Sequence, residues 1–287
     1  MAAIIDSPDF MLHYVDVKNL KLHLKLYLFL KGILVGAIFK KFHRGSFCLL
    51  LNKLFSGSEK LKYKEGIYSV TFLDDIVHFP NKRVVRMFLN PKYHLEKLYD
   101  TYCINNIEIN DNDIVIDCGA NVGELYYAFL LKNKNIKYYA FEPEVNTYKC
   151  LQVNLSSFKN VYAQNIALSN ESKKASFFID EEGANSSLSD FGSSRKQEIE
   201  SKSLDDFELE NIKLLKVEAE GHELEVLQGS IKTMSKTNYI SVDYGPEKGI
   251  DQLSTLPEVI DFMYKNNFSI IGNSKYRQIG LFKNNSL

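Results

Sequence analysis

Two groups of residues in this chain have the types and spacing to do chemistry. The first is Asp117, Gly119, Asn121 and Gly123, in the run Asp-Cys-Gly-Ala-Asn-Val-Gly, with Glu142 closing the next apolar run, Ile136 to Phe141. Glycines at a strand-to-helix turn let the backbone come close to a ligand, and an acid at the end of the following strand accepts hydrogen bonds from ribose hydroxyls. The second group is Lys216, Glu218, Glu220, Gly221, His222 and Glu223, with Asp243 further on. Lys216, Glu218 and Glu220 alternate, so on a strand they share one face. Carboxylates there suit a proton acceptor or a cation ligand. The plainer reading is a strand end running into solvent, with Glu223 favouring a helix dipole and His222 exposed or structural.

The glycine spacing bears on the ligand. A dinucleotide fingerprint has three glycines, with a pyrophosphate on the helix N-terminus. Here Asn121 stands near the place of the middle glycine, and Asp117 precedes the turn. An acid repels a pyrophosphate but suits a cation. S-adenosylmethionine, with its sulfonium and ammonium groups and no phosphate, fits, and Gly119 is expected where a side chain would collide with it.

These residues need a sheet to position them. Ile114 to Ile116 is a β-branched run of the kind buried on both faces of a parallel sheet. From there the pattern alternates. Strands are expected at 113–117, 136–142, 159–165, 212–219 and 238–243, with helices at 122–132, 145–155, 223–234 and 255–265, and two closing antiparallel strands at 267–272 and 278–283. Alternation of this kind implies a mostly parallel sheet. Residues 171–203 interrupt it and read as a surface hairpin and loop. Ser203 and Asp206 are placed to cap a short helix before 212. Upstream, 67–79 reads as a β-hairpin around Asp74 and Asp75, and 83–106 as helical with a break at Pro91.

The chain has 287 residues and a formal net charge of −1. That length suits an N-terminal helical and hairpin extension over 1–100 and a main domain over 101–287. The near-neutral balance argues against nucleic acid as a partner. Cys48, Cys103, Cys118 and Cys150 form no CxxC pair, and Asp6 and Asp9 interrupt the region where a signal peptide would lie. A cytoplasmic chain is expected, and an oligomer is compatible with it.

Residues 17–58 contain no Asp or Glu but many Lys among Leu, Phe and Ile. The most apolar part, Leu26 to Phe39, is short and interrupted by Lys31, so an ordinary membrane span is not expected. Two readings stay open: helices packed on the main domain with a solvated basic face, or a basic amphipathic element at the inner face of an anionic membrane.

Several motifs together carry a resemblance. Asp-Cys-Gly-Ala-Asn-Val-Gly, Phe-Glu-Pro at 141–143, Ser-Ser-Leu at 186–188, Ser-Leu-Asp-Asp-Phe at 203–207 and Lys-Val-Glu-Ala-Glu-Gly-His-Glu at 216–223 resemble the FkbM family of S-adenosylmethionine-dependent methyltransferases over roughly 100–245. The resemblance implies a class I methyltransferase (Rossmann-like) α/β fold with seven strands in the order 3-2-1-4-5-7-6. It implies O-methylation of hydroxyls, often on sugars of bacterial surface glycans or on natural products. By position it puts Asp117, Gly119, Asn121 and Gly123 at the methionine end of the cofactor, Glu142 at the ribose, and Asn165 with Ile166 near the adenine. Where the family has Asp, this chain has Glu218.

A sugar hydroxyl is a poor nucleophile, so a base is expected. Glu218 is the first choice, with His222 and Glu220 behind it, on the argument that clustered carboxylates raise one another's pKa. The alternative is that Glu218, Glu220 and Asp243 hold Mg²⁺ or Mn²⁺. A nicotinamide-dependent oxidoreductase and a non-catalytic binding protein are the competing functions.

Overall fold

The computed structural model describes residues 20–55, 60–72, 75–179, 187–188 and 195–287. The chain divides into two compact units, Met1–His94 and Leu95–Leu287.

In the first unit, α1 (Leu22–Lys41) and α2 (Arg44–Leu54) precede a small antiparallel sheet of β1 (Lys62–Lys64), β2 (Ile67–Phe72) and β3 (Asp75–Phe79), followed by α3 (Val85–Leu89). The hairpin expected at 67–79 is β2 and β3; Asp74 in its turn lies outside the described residues. The helices pack through aromatic edges, Phe47 against Phe39 and against Tyr68. The first helix is longer than the Leu26–Phe39 run suggested. Its 20 residues make it long and apolar enough, by length and composition, to cross a membrane. The helical hydrogen bonds continue through Lys25 and Lys40 because neither charge interrupts a helix.

The second unit carries the alternation. After α4 (Pro91–Thr101), which begins at the proline, come β4 (Ile114–Cys118), α5 (Glu124–Leu131), β5 (Lys137–Phe141), α6 (Val145–Leu155), β6 (Val161–Gln164), β7 (Ala167–Leu168), β8 (Lys173–Phe178) and β9 (Lys196–Lys202). Then follow β10 (Ile212–Val217), α7 (Glu223–Gln228), α8 (Ile231–Ser235), β11 (Thr237–Asp243), β12 (Pro246–Lys248), β13 (Leu253–Ser254), α9 (Leu256–Lys265), β14 (Phe268–Asn273) and β15 (Ile279–Asn284). The seven-stranded sheet runs β14-β15-β11-β10-β4-β5-β6. Counted along the chain, that is the class I methyltransferase order. β6, β5, β4, β10 and β11 are parallel, and β15 is antiparallel to both its neighbours. Hence the sheet is mostly but not wholly parallel.

β10 and β4 sit at the centre, and the apolar residues of β10 are fully buried with those of β11 and α9. The four cysteines are free and buried.

Three local expectations change. The helix expected at 223–234 is two helices with Gly229 between them, at a position where a Cβ would lie 2.0 Å from the Ser169 carbonyl oxygen. The short helix before β10 forms at Leu204–Phe207, but Ser203 makes no side-chain cap; its hydroxyl donates to the Gly229 carbonyl at 2.6 Å, and Asp206 accepts from Ser172 at 2.5 Å. Finally, 171–203 contains β8 and β9 as a paired hairpin, while 180–186 and 189–194 of the expected loop, Ser186 included, lie outside the described residues.

Candidate active site

β10 carries two lysines in an otherwise apolar run, Lys213 half-buried and Lys216 fully buried. Lys216 is 2% exposed, and the parallel register sets it directly opposite Asp117 on β4 and Ser241 on β11. A buried ammonium needs partners on every side, and this one has them. Its Nζ lies 2.8 Å from Asp117 Oδ1 and 3.2 Å from Glu218 Oε2, and donates to the carbonyls of Cys118 at 2.9 Å and Gly119 at 2.8 Å. Burial alone would lower its pKa, but Asp117, Tyr102 and Glu218 more than offset this and keep it charged. The Tyr138 hydroxyl donates to the other Asp117 oxygen. Lys216 therefore ties the end of the glycine-turn strand to the start of the Glu-Ala-Glu-Gly loop.

The turn after β4 folds tightly against the end of β5. The backbone N–H groups of Gly119 and Ala120 both donate to the Phe141 carbonyl at 3.0 Å. Asn121 takes a positive φ of 50°, its own N–H donating to Glu142 Oε2 at 2.9 Å, while Glu144 N–H donates to Glu142 Oε1 at 2.9 Å. Each carboxylate oxygen has a second lone pair, so Glu142 keeps acceptor capacity. Burial pushes its pKa up to about 7, against the lowering effect of those two N–H groups. Gly119 has φ +74°, and a Cβ on it would lie 2.2 Å from the Glu218 carbonyl oxygen. So the protein's own backbone already excludes a side chain at Gly119. Gly123, at φ +91°, faces Leu155 and Leu151 of α6 in the same way. Asn165 donates from its side-chain amide to the carbonyls of Glu142 and Pro143, both at 2.9 Å, which braces the loop after β5. Ile166 is buried in the core.

The second group gathers around an arginine. Arg277, in the turn between β14 and β15, pairs with Glu218 through Nη1, and its Nη2 lies 2.7 Å from Asp243 Oδ2 and 3.0 Å from Glu247 Oε1. Tyr102, 3% exposed, donates its hydroxyl to Glu218 Oε2. Glu218 is thereby held by Arg277, Lys216 and Tyr102 together. Burial would raise its pKa, but these partners hold it well below the ordinary carboxylate range, the reverse of the direction expected from clustering. Clustering does act on its neighbours. Burial, then Glu247 and Glu218, push Glu220 well above its usual range, and burial pushes Asp243 up to about 7. Glu220 Oε2 is buried with no hydrogen-bond partner among the described residues. β10 ends at Val217, so the face shared by Lys216 and Glu218 does not extend to Glu220, which takes a left-handed φ of 50°.

His222 points elsewhere: its Nε2 is 3.0 Å from the Ser169 hydroxyl and its Nδ1 is 3.6 Å from Glu225. Burial lowers its pKa. Glu223 closes the loop, accepting from the N–H groups of Ala219 and Gly221 at 3.0 Å and from the Thr255 hydroxyl at 3.1 Å, and burial lifts it to about 7. Among the described residues no group of three or more His, Cys, Asp or Glu could hold a metal ion. Glu218 and Asp243, two of the three suggested ligands, are bridged by the Arg277 guanidinium instead.

These raised acids set a pH dependence. Glu142, Glu223 and Asp243 have folded pKa values above their unfolded ones, so the folded state holds more protons between about pH 4 and pH 7 and loses stability as pH rises through that window. Glu218, shifted the other way, acts only below it. The urea midpoint is therefore expected to be higher at about pH 5 than at about pH 7.5. His222, lowered by burial, acts in the opposite sense within this window, so a midpoint that rises across the interval would mean that its contribution outweighs that of the three acids.

The sequence pattern does not single out Tyr102, Tyr138, Glu247 or Arg277. Lys216 carries a signal, as a cation alternating with Glu218 and Glu220 at the end of a largely apolar strand. Arg277 and Tyr102 carry none, because they reach Glu218 from 59 and 116 positions away.

With this geometry in hand, comparison with known proteins is informative. A family model described as the methyltransferase FkbM domain matches residues 117–270. No curated protein matches the chain. Among solved structures, the chain is similar to the methyltransferase FkbM from Methylobacillus flagellatus KT, at 15% identity and TM-score 0.47, covering 70% of this chain and 52% of that one. It thus spans about half that protein's length. It is also similar to M. jannaschii TYW2 in complex with AdoMet, at 13% identity and TM-score 0.42, covering 78% and 90%. A third similar structure is a putative RNA methyltransferase from Pyrococcus horikoshii, at 16% identity and TM-score 0.37, covering 66% and 82%. The family match sets aside the nicotinamide reading. It begins at the aspartate of the glycine turn, takes in both site loops and ends within β14, more than half of the 287 residues: the chain belongs to the FkbM family of methyltransferases.

Proposed function

We propose that the protein transfers a methyl group from S-adenosylmethionine to a hydroxyl of a sugar, either nucleotide-linked or part of a bacterial surface glycan. The observation that supports a polyhydroxylated acceptor is the gathering of Glu218, Glu220, Asp243 and Glu247 around Arg277 beside the glycine turn. Carboxyl groups accept hydroxyl donors, and those held protonated also donate.

The residues at the turn suit the cofactor. Asp117 and Glu142 close the two neighbouring strands, Glu142 keeps acceptor capacity, and Lys216, the cation nearby, is fully engaged by the protein. This donor set suits an ammonium group and ribose hydroxyls. Asp117, Gly119, Asn121 and Gly123 would face the methionine end, Glu142 the ribose, and the loop braced by Asn165 the adenine. When bound, the cofactor supplies an electrophilic methyl group.

The chain's own residues do the rest. Glu218, clamped by Arg277, Lys216 and Tyr102, orients the loop and contributes negative charge beside the reacting centre. Glu220, with an unpartnered oxygen and a raised pKa, accepts the proton of the attacking hydroxyl. His222 supports the loop from the Ser169 side.

Glu142→Ala is expected to weaken S-adenosylmethionine binding by about 1.5–3 kcal/mol, the range for a charged hydrogen bond. Calorimetry on the folded variant checks this, and an unchanged affinity would remove Glu142 from the cofactor site. The acceptor is tested by methyl-transfer assays over nucleotide sugars and glycans, with the product methyl placed by NMR. Transfer to non-sugar natural products alone would replace the sugar reading.

A further inference from the structure

α1 has an apolar face that nothing among the described residues covers. It packs on its own unit through Gly32, Val35 and Ile38. On the opposite side Leu22, Leu26, Phe29, Leu30, Ile33 and Ala37 recur at three- and four-residue spacing, which places them on one face of a helix. Leu22 is 82% exposed, Leu26 58%, Leu30 57% and Ile33 47%. A soluble helix normally turns such a face inward, and an exposed apolar patch of this extent marks an interaction site.

The charges lie towards the two ends of this face, Lys40 being on the face itself at its C-terminal end. Lys21 and Lys25 lie at the N-terminal end, on the side that continues the packed face. Lys40, Lys41 and Arg44 lie at the C-terminal end. Lys31, at mid-helix, turns inward, with its Nζ 3.8 Å from the centre of the Phe55 ring. No Asp or Glu occurs between 17 and 58 to repel an anionic surface. The helix is about 30 Å long at ~1.5 Å per residue, so the apolar stripe is continuous over several turns. A spanning orientation would require lipid all round. Gly32, Val35 and Ile38 are buried against the protein, so the C-terminal half of the helix cannot be ringed by lipid, although Leu24, Tyr27 and Leu34 are exposed beside the outer face.

We propose that α1 lies in the plane of an anionic bilayer surface, its outer leucine-rich face in the acyl boundary and the lysines at its two ends on lipid phosphates. The basic face imagined from the sequence as solvated is in fact apolar, and the basic residues frame it. Such binding combines buried apolar area with attraction to anionic headgroups. It holds independently of the acceptor, since it rests on no residue of the methyl-transfer site.

The test is flotation of the full chain with phosphatidylcholine vesicles, with and without phosphatidylglycerol. The wild type is expected to float with the anionic vesicles and to be partly released by salt. The triple variant Leu26→Ser, Leu30→Ser, Ile33→Ser changes only exposed side chains, so its circular dichroism should match the wild type. Its vesicle partition should fall by more than about tenfold, given the apolar area lost at each position. Recovery of the wild type in the unbound fraction with both vesicle types would overturn the proposal. So would equal flotation of the variant. A wild type that dimerises in light scattering, becomes monomeric in the variant and ignores vesicles would assign the face to a second copy of the chain and equally overturn it.

Discussion

Lys216→Met is expected to destabilise the second unit by about 3–5 kcal/mol, the scale for removing one partner of a buried ion pair. Methionine fills the same space, so the loss is not one of packing. It comes from leaving Asp117, 1% exposed, without its cation, and from stripping the donor from the Cys118 and Gly119 carbonyls. An unpaired buried charge and an unsatisfied Gly119 carbonyl are each costly, while the Cys118 carbonyl keeps the Glu218 N–H at 3.2 Å. The same substitution frees Glu218 from one of its three partners, so its pKa should move up. Urea denaturation at neutral pH measures the effect. Adding Asp117→Asn should recover a substantial part of it, because the remaining group is then neutral and residues in direct contact couple. A single variant within about 1 kcal/mol of wild type, the range of ordinary surface changes and mild substitutions, would mean that Lys216 is not holding the two loops together.

This network shows which parts of the fold were legible in the sequence. The apolar run Ile114 to Ile116, the glycine turn and Glu142 place the first βαβ unit because each of these signals is local. The mostly parallel sheet follows from the alternation, and the antiparallel hairpin from two adjacent strands with a short loop at the end, whereas the strand order came only from the family resemblance. Boundaries were less legible. The strand ends at Val217 and the helix is interrupted at Gly229, which packs closely on Ser169, a contact that no local pattern reveals.

The site was legible as a set of acids but not as a set of states. Alternation brings Glu218 and Glu220 forward, and clustering alone suggests that both are weak acids. What separates them is Arg277, from the hairpin between β14 and β15, and Tyr102, from the segment before β4. These two lie far along the chain from Glu218 and have no spacing relation to it. Gly119 makes a related point. Its glycine is needed, as the turn suggested, but the reason is the Glu218 carbonyl on the neighbouring loop. For α1 the composition was legible and the orientation was not. Whether lysines or leucines face outward depends on which side Gly32 and Val35 pack.

Glu220→Gln should then separate the roles of the two acids. Glutamine keeps the size and the acceptor oxygen but cannot take up a proton. If Glu220 accepts the hydroxyl proton, kcat is expected to fall by about 10²–10⁴, the usual scale for general base catalysis, with S-adenosylmethionine affinity nearly unchanged. Because Glu220 is pushed up by burial and by Glu247 and Glu218, the wild-type rate should rise with pH as this group loses its proton, and the variant should lose that limb. Glu218→Gln is the companion. It breaks the ion pairs to Arg277 and Lys216, so it should lower stability and activity together, while the pH limb persists but moves to lower pH because the Glu218 charge helps raise Glu220. His222→Ala, on the Ser169 side, should cost least. A Glu220→Gln variant of near-normal kcat, alongside a Glu218→Gln variant that is stable, inactive and without the pH limb, would transfer the base to Glu218. Activity lost with EDTA and restored by Mg²⁺ or Mn²⁺ would instead make the carboxylates metal ligands, and would require Arg277 to leave Glu218 and Asp243.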